Sequence, residues 1–217
     1  MKNLFHPNGT FVRVMTRLYD LIVLNVLLSV LYLTVVLSGP AAVSVYQVLF
    51  RRVRDEDGVS TVGDFLRSIR ENVVLAFPAT LLMFVDVMIL AIVLRYLFEE
   101  TLLFSPVIWM ALALVGLLLT AVLSYLFPLL GRYRNTFGRH LKNACILAIR
   151  CPKTTLLLLC VNLMPLLCIA AFPQALHFWL GIWLLIGFSG GAYINAQALK
   201  PVFERVTTQK KSVGGEP

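Results

Sequence analysis

Five apolar runs of membrane-span length settle most of what this chain can fold into. Leu18 to Leu37, Val73 to Phe98, Val107 to Leu130, Thr154 to Phe172 and Leu176 to Leu199 are each nearly free of charge. At about 1.5 Å per residue, a helix of roughly twenty residues crosses the ~30 Å hydrocarbon core. Lipid offers the backbone no hydrogen-bond partners, so such runs cross it as helices. Only 14% of the 217 residues are charged, against 59% hydrophobic, whereas soluble domains carry about a quarter charged residues. The predicted fold is an all-α, polytopic helical membrane bundle.

A shorter sixth helix is predicted from Pro40 to Asp55, after the break at Ser38-Gly39-Pro40. Its sixteen or so residues reach only about 24 Å, so it reads either as a short returning span completed by snorkelling Arg51, Arg52 and Arg54, or as a re-entrant helix. Ser44, Gln47, Arg51 and Arg54 share one narrow arc, which would face the bundle.

Positive charge lies in the segments between the runs. Wound as one helix, Gly131 to Lys153 puts Arg132, Arg139, Lys142, Arg150 and Lys153 on one side. Tyr133, Phe137, Leu141, Ala144 and Ala148 fall on the other. This is the pattern of an interfacial helix with its cations among anionic lipid headgroups. Thr61 to Val73 reads as a second amphipathic connector, with Thr61 as cap, Asp64 three residues later and an apolar stripe at Phe65, Leu66, Ile69 and Val73. Basic segments beside spans stay cytoplasmic, which places both termini in the cytoplasm and leaves Glu99 and Glu100 in an outer loop. An even number of crossings follows, and six is the count. Residues 1–206 then form one transmembrane domain and 207–217 a disordered basic tail. A net charge of +8 is explained by these linkers and lipid headgroups, and no compact basic domain is left to bind nucleic acid. Pro40 to Phe98 and Pro106 to Phe172 echo each other weakly: inward helix, amphipathic connector, outward helix.

Within the runs, Asp86 is the sharpest functional candidate, because a carboxylate in mid-bilayer costs roughly 2.5 to 3.5 kcal/mol and normally faces a cavity or partner. Asn25, Gln47 and Asn162 are the polar residues that could join it in an intramembrane site. The plainer alternative is an acid bonded to Asn25, Gln47, Tyr46 or Asn162 that locks the bundle. Gly187 and Gly191, with Ala192 adjacent, suit close helix contact, within the chain or with a second membrane protein. Asn195 and Gln197 read as caps near water. His6 and His140 belong to polar surface stretches, and His177 to the interface beside Trp179 and Trp183. Cys145, Cys151, Cys160 and Cys168 form no C-x-x-C pair and read as small core hydrophobes. No metal ligand set, cofactor motif or nucleophile elbow is present, so the chain reads as non-enzymatic and without cofactors.

The order SGPAAVSVYQVLFRRVR, DFLRSIRENVVLA and FPLLGRYRNTFGRHLKNACILAI resembles the YesL-like family of bacterial membrane proteins, over roughly Leu18 to Val206. The resemblance rests on Gly39-Pro40-Ala41, Phe65 with Asn72, and Leu141-Lys142-Asn143-Ala144. It implies a bacterial plasma-membrane protein of unassigned function, encoded beside carbohydrate ABC importers. The expected role is therefore an accessory, assembly or regulatory partner of such an importer's permease subunits. The alternative is a small transporter or channel with its polar site around Asp86.

Overall fold

In a computed structural model, residues 10–53, 60–99 and 106–213 are described. They form eight α-helices: α1 (Thr10–Tyr32), α2 (Ser38–Val53), α3 (Thr61–Glu99), α4 (Pro106–Arg132), α5 (Phe137–Arg150), α6 (Pro152–Ala171), α7 (Leu176–Ile182) and α8 (Phe188–Val213). A 3-10 turn at Pro173–Ala175 precedes α7, and a π-helical turn at Trp183–Gly187 joins α7 to α8. Five helical stretches are long and apolar enough to cross a membrane: Val14–Tyr32, Thr61–Tyr96, Pro106–Arg132, Pro152–Ala171 and Pro173–Arg205.

The short helix α2 is the centre of the bundle. Thirteen of its sixteen residues are buried, and it packs on α1, α3, α4 and α8. Two glycines permit that burial. A Cβ on Gly39 would stand 3.0 Å from the Ala76 carbonyl and 3.1 Å from the Thr80 amide, and one on Gly131 would stand 2.9 Å from the Val43 carbonyl. Arg51 pairs with Asp64 at 2.8 Å, so α2 runs antiparallel to the first half of α3 and stops beside its middle. The remaining 81–99 of α3 extend about 28 Å further, where they pair with α4 through the stacked rings of Tyr96 and Trp109, 4.1 Å apart. The turn between α1 and α2 lies at Leu33–Leu37 rather than at Ser38-Gly39-Pro40, with Val35 at a left-handed φ of 54°.

Both ends of the described chain gather at one end of the bundle. Asp20 of α1 meets Arg52 of α2 at 2.9 Å and accepts the Thr61 hydroxyl at 2.5 Å. Phe203 of α8 packs on Phe50 and Tyr133. Asp20 is 6% exposed and so acts as a buried tether. Thr61 is correspondingly not the cap of α3. Ser60 caps it, accepting the Gly63 amide at 3.3 Å, while Asp64 accepts the Ser60 amide at 3.1 Å.

The connectors differ from their expected form. Thr61 to Val73 is no separate surface helix but the first turns of α3, one continuous helix despite Pro78. Gly131 to Lys153 divides among three helices. α4 runs to Arg132, the connector helix α5 spans Phe137–Arg150, and Pro152 opens α6, the position where a missing N–H costs nothing. Arg132 is thereby removed from the expected lipid-facing row. Its guanidinium lies over Phe50, Tyr133 and Phe203 at 5.4, 5.7 and 5.2 Å. Arg139, Lys142, Arg150 and Lys153 are exposed. His140 is 1% exposed, because its spacing from Phe137 and Ala144 puts it on the buried face of α5. The four cysteines are not core residues: Cys160 is exposed and the others are half-buried. Helix α8 continues to Val213, into the segment expected to be a disordered tail. Arg54, Glu100 and Ser105 lie outside the described residues, as does His6.

Candidate functional site

Asp86 sits on α3 beyond the end of α2 and is 5% exposed. Its Oδ2 accepts the Thr120 hydroxyl of α4 at 2.9 Å. Its Oδ1 is buried with no hydrogen-bond partner among the described residues. One turn along α4, Ser124 donates to the Thr120 carbonyl at 2.6 Å and accepts the Asn162 amide of α6 at 2.7 Å. Asn195 of α8 then donates to Asn162 Oδ1 at 2.9 Å and to the Tyr46 hydroxyl of α2 at 3.1 Å. Polar contacts thus run without interruption from α3 through α4 and α6 to α8 and α2. In lipid each such interhelical bond contributes about 0.6 to 2 kcal/mol.

A cavity of about 270 Å³ opens beside this relay. Asp86, Thr120, Ser124, Asn162 and Tyr46 contribute its polar side, and the rings of Tyr32, Phe127, Trp183 and Phe188 form much of its wall. No lysine, arginine or histidine is among the described residues lining it. The indole Nε1 of Trp183 is also buried without a partner. Gly187, Gly191 and Ala192 border the same cavity. A Cβ on Gly187 would fall 2.1 Å from the Trp183 ring, and one on Gly191 would meet Val161 at 3.4 Å. The small residues therefore seat a tryptophan and helix α6 within the chain.

Asn25 and Gln47 belong elsewhere. Asn25 is fully buried and works on the π turn. Its amide donates to the carbonyls of Trp183 and Leu184 at 3.0 and 2.6 Å, and its Oδ1 accepts the Ser189 amide at 2.9 Å. Gln47 accepts from Ser68 at 2.7 Å and Asn72 at 3.2 Å and lines a second pocket of about 420 Å³ at the basic end, beside Glu71, Arg132 and Arg134. Of the four residues expected in one polar site, Asp86 and Asn162 share a cavity and the other two do not join them.

Thr120, Ser124 and Asn195 are site residues the sequence reading passed over. Asn195 in particular is fully buried and is not a cap facing water. Their one signal was polarity inside long apolar runs. Thr120 and Ser124 stand four residues apart, on one face of α4. His177, by contrast, is exposed at the start of α7, in keeping with its interfacial assignment. Among the described residues no group of three His, Cys, Asp or Glu could hold a metal ion.

Residues 21–94 match a family described as "Protein of unknown function, DUF624". That segment comprises most of α1, all of α2 and most of α3, including Asn25, Gln47 and Asp86. No curated protein matches the chain, and no solved structure does.

Proposed function

We infer that the chain is a non-enzymatic, multi-pass protein of the bacterial plasma membrane, with both termini in the cytoplasm, that serves as an accessory, assembly or regulatory partner of a carbohydrate ABC importer. The YesL-like resemblance supplies the importer, and the DUF624 match over 21–94 agrees with it. The orientation is supported by the gathering of both ends of the described chain with Arg51, Arg52 and Arg132 at one end of the bundle. One observation favours a partner role over conduction: the four candidate polar residues belong to three separate hydrogen-bonded groups. Asn25 is committed to the α7–α8 turn and Gln47 to α3, so the four candidate residues line no common path. Affinity purification of the full chain from native membranes, read by quantitative mass spectrometry, tests this. Enrichment of importer permease subunits is expected, and their absence from repeated purifications overturns the role.

A second reading is a small transporter whose intramembrane site is centred on Asp86. It is favoured by the free Oδ1 of that buried acid at the rim of a cavity.

A further inference from the structure

We propose that the cavity between α3, α4, α6 and the π turn is a binding site for a small lipophilic organic amine in its protonated form, held by Asp86 Oδ1. The proposal rests on the second reading above and names the ligand class. Three features of the site converge on it. Asp86 is 5% exposed and one of its oxygens has no partner among the described residues, so the site offers a hydrogen-bond acceptor of negative charge and nothing to fill it. No cationic side chain among the described residues lines the cavity, so an organic cation would meet no competing positive charge there. The wall includes the aromatic residues Tyr32, Phe127, Trp183 and Phe188 among aliphatic ones, a lining that suits an apolar body and, through its rings, a cation.

An inorganic cation fits less well. Hard ions take about six oxygen ligands, and the side-chain oxygens of Asn162 and Ser124 are already engaged, which leaves Asn195 Oδ1 as the one further relay oxygen without a bond among the described residues. Asn162 Oδ1 accepts from Asn195, and Ser124 Oγ accepts from Asn162 while donating to the Thr120 carbonyl. The volume, about 270 Å³, lies at the small end for ligand cavities, which selects a compact amine over a large one. Asp86 Oδ1 is itself buried, so an ammonium N–H reaches it through a small turn of the carboxylate, one that can keep the Thr120 bond to Oδ2.

The test is saturation binding of radiolabelled 2-phenylethylammonium to the full purified chain in lipid nanodiscs, with 2-phenylethanol as the uncharged isostere. Asp86→Asn keeps an acceptor for Thr120 and removes the charge. Ala192→Leu keeps the acid and fills the cavity. The expected result is saturable amine binding, weakened at least about tenfold in Asp86→Asn and abolished in Ala192→Leu, with the alcohol weaker than the amine by a similar factor. Should Asp86→Asn fail to fold, Ala192→Leu and the alcohol comparison decide. Equal binding of amine and alcohol, unaffected by Asp86→Asn, overturns the cationic ligand while leaving a ligand cavity. Displacement by sodium chloride as potent as by the amine overturns it in favour of an inorganic ion. Absence of saturable binding by either probe overturns both the ligand class and the second reading.

Discussion

Asn25 and Ser189 are joined across helices: the side-chain carbonyl of Asn25 accepts the Ser189 backbone amide at 2.9 Å, while its amide group donates to the Leu184 carbonyl at 2.6 Å. A π turn pairs residue i with i+5, which here would couple Leu184 to Ser189. The asparagine stands in that gap and satisfies both ends. Replacing it by leucine strips three backbone groups, the carbonyls of Trp183 and Leu184 and the amide of Ser189, of this partner, at about 1–3 kcal/mol for each buried one left unmade. The helix can recover part of this by closing the Leu184–Ser189 bond itself. The expected loss for Asn25→Leu is therefore about 1–2 kcal/mol, read as a lowered melting temperature in detergent. Unchanged melting would show that the turn holds without the bridge.

The Asp20–Arg52–Thr61 cluster fixes the middle of α1 and the opening turn of α3 to the end of α2. Arg52 retains 28% of its side-chain exposure, which moderates its electrostatic contribution. Asp20→Ala and Arg52→Ala should each destabilise the fold, with a coupling of about 1–2 kcal/mol in a double-mutant cycle. Strict additivity of the two losses would mean the pair is a surface accident.

Two glycine-to-alanine changes should move stability in opposite directions. At Gly39 the added methyl meets backbone of α3 at 3.0 and 3.1 Å, and α2 has to shift, a cost of about 1–3 kcal/mol. At Gly138 on α5 nothing stands within 4 Å, so the same change should gain up to about 1 kcal/mol from helix propensity. Comparing the two melting curves checks the buried placement of α2, and loss of equal size at both sites contradicts it.

His140 links stability to pH. Burial pushes its imidazole below the ordinary histidine value of 6.5, partly countered by the Tyr133 backbone. The folded state therefore binds fewer protons than the unfolded one just below 6.5. Its contribution is present in full above that value and is lost as pH falls through it toward the folded value. Melting measured from pH 7.5 to 5 should decline, and His140→Leu should flatten that decline. An identical slope in the variant would place the titration elsewhere.

The long helices were legible because their apolar runs exceed any soluble alternative, and the proline at 106 does open a helix. What stayed hidden was environment and register. The amphipathic turns from Thr61 and the apolar turns after Val73 share one helical period, so their change of character marks a change of surroundings and no break in α3. Likewise, the periodicity of α4 cannot say that Thr120 faces Asp86, since the partner depends on how two helices slide past each other. Asn195 looked like a cap because polar residues near a span's end usually reach water, and here Tyr46 and Asn162 claim it first. The π turn carries no proline, and its signal was split between Gly187 and an asparagine some 160 positions earlier.

Orientation in the membrane underlies the partner proposal, because that role is proposed for a bundle whose basic end faces the cytoplasm. With the four native cysteines replaced, single cysteines at Glu100 and Ser212 can be challenged in intact cells with an impermeant maleimide. Labelling at 100 with silence at 212 until the cells are opened is the predicted result. Labelling at 212 with silence at 100 would invert the bundle and contradict the proposed role.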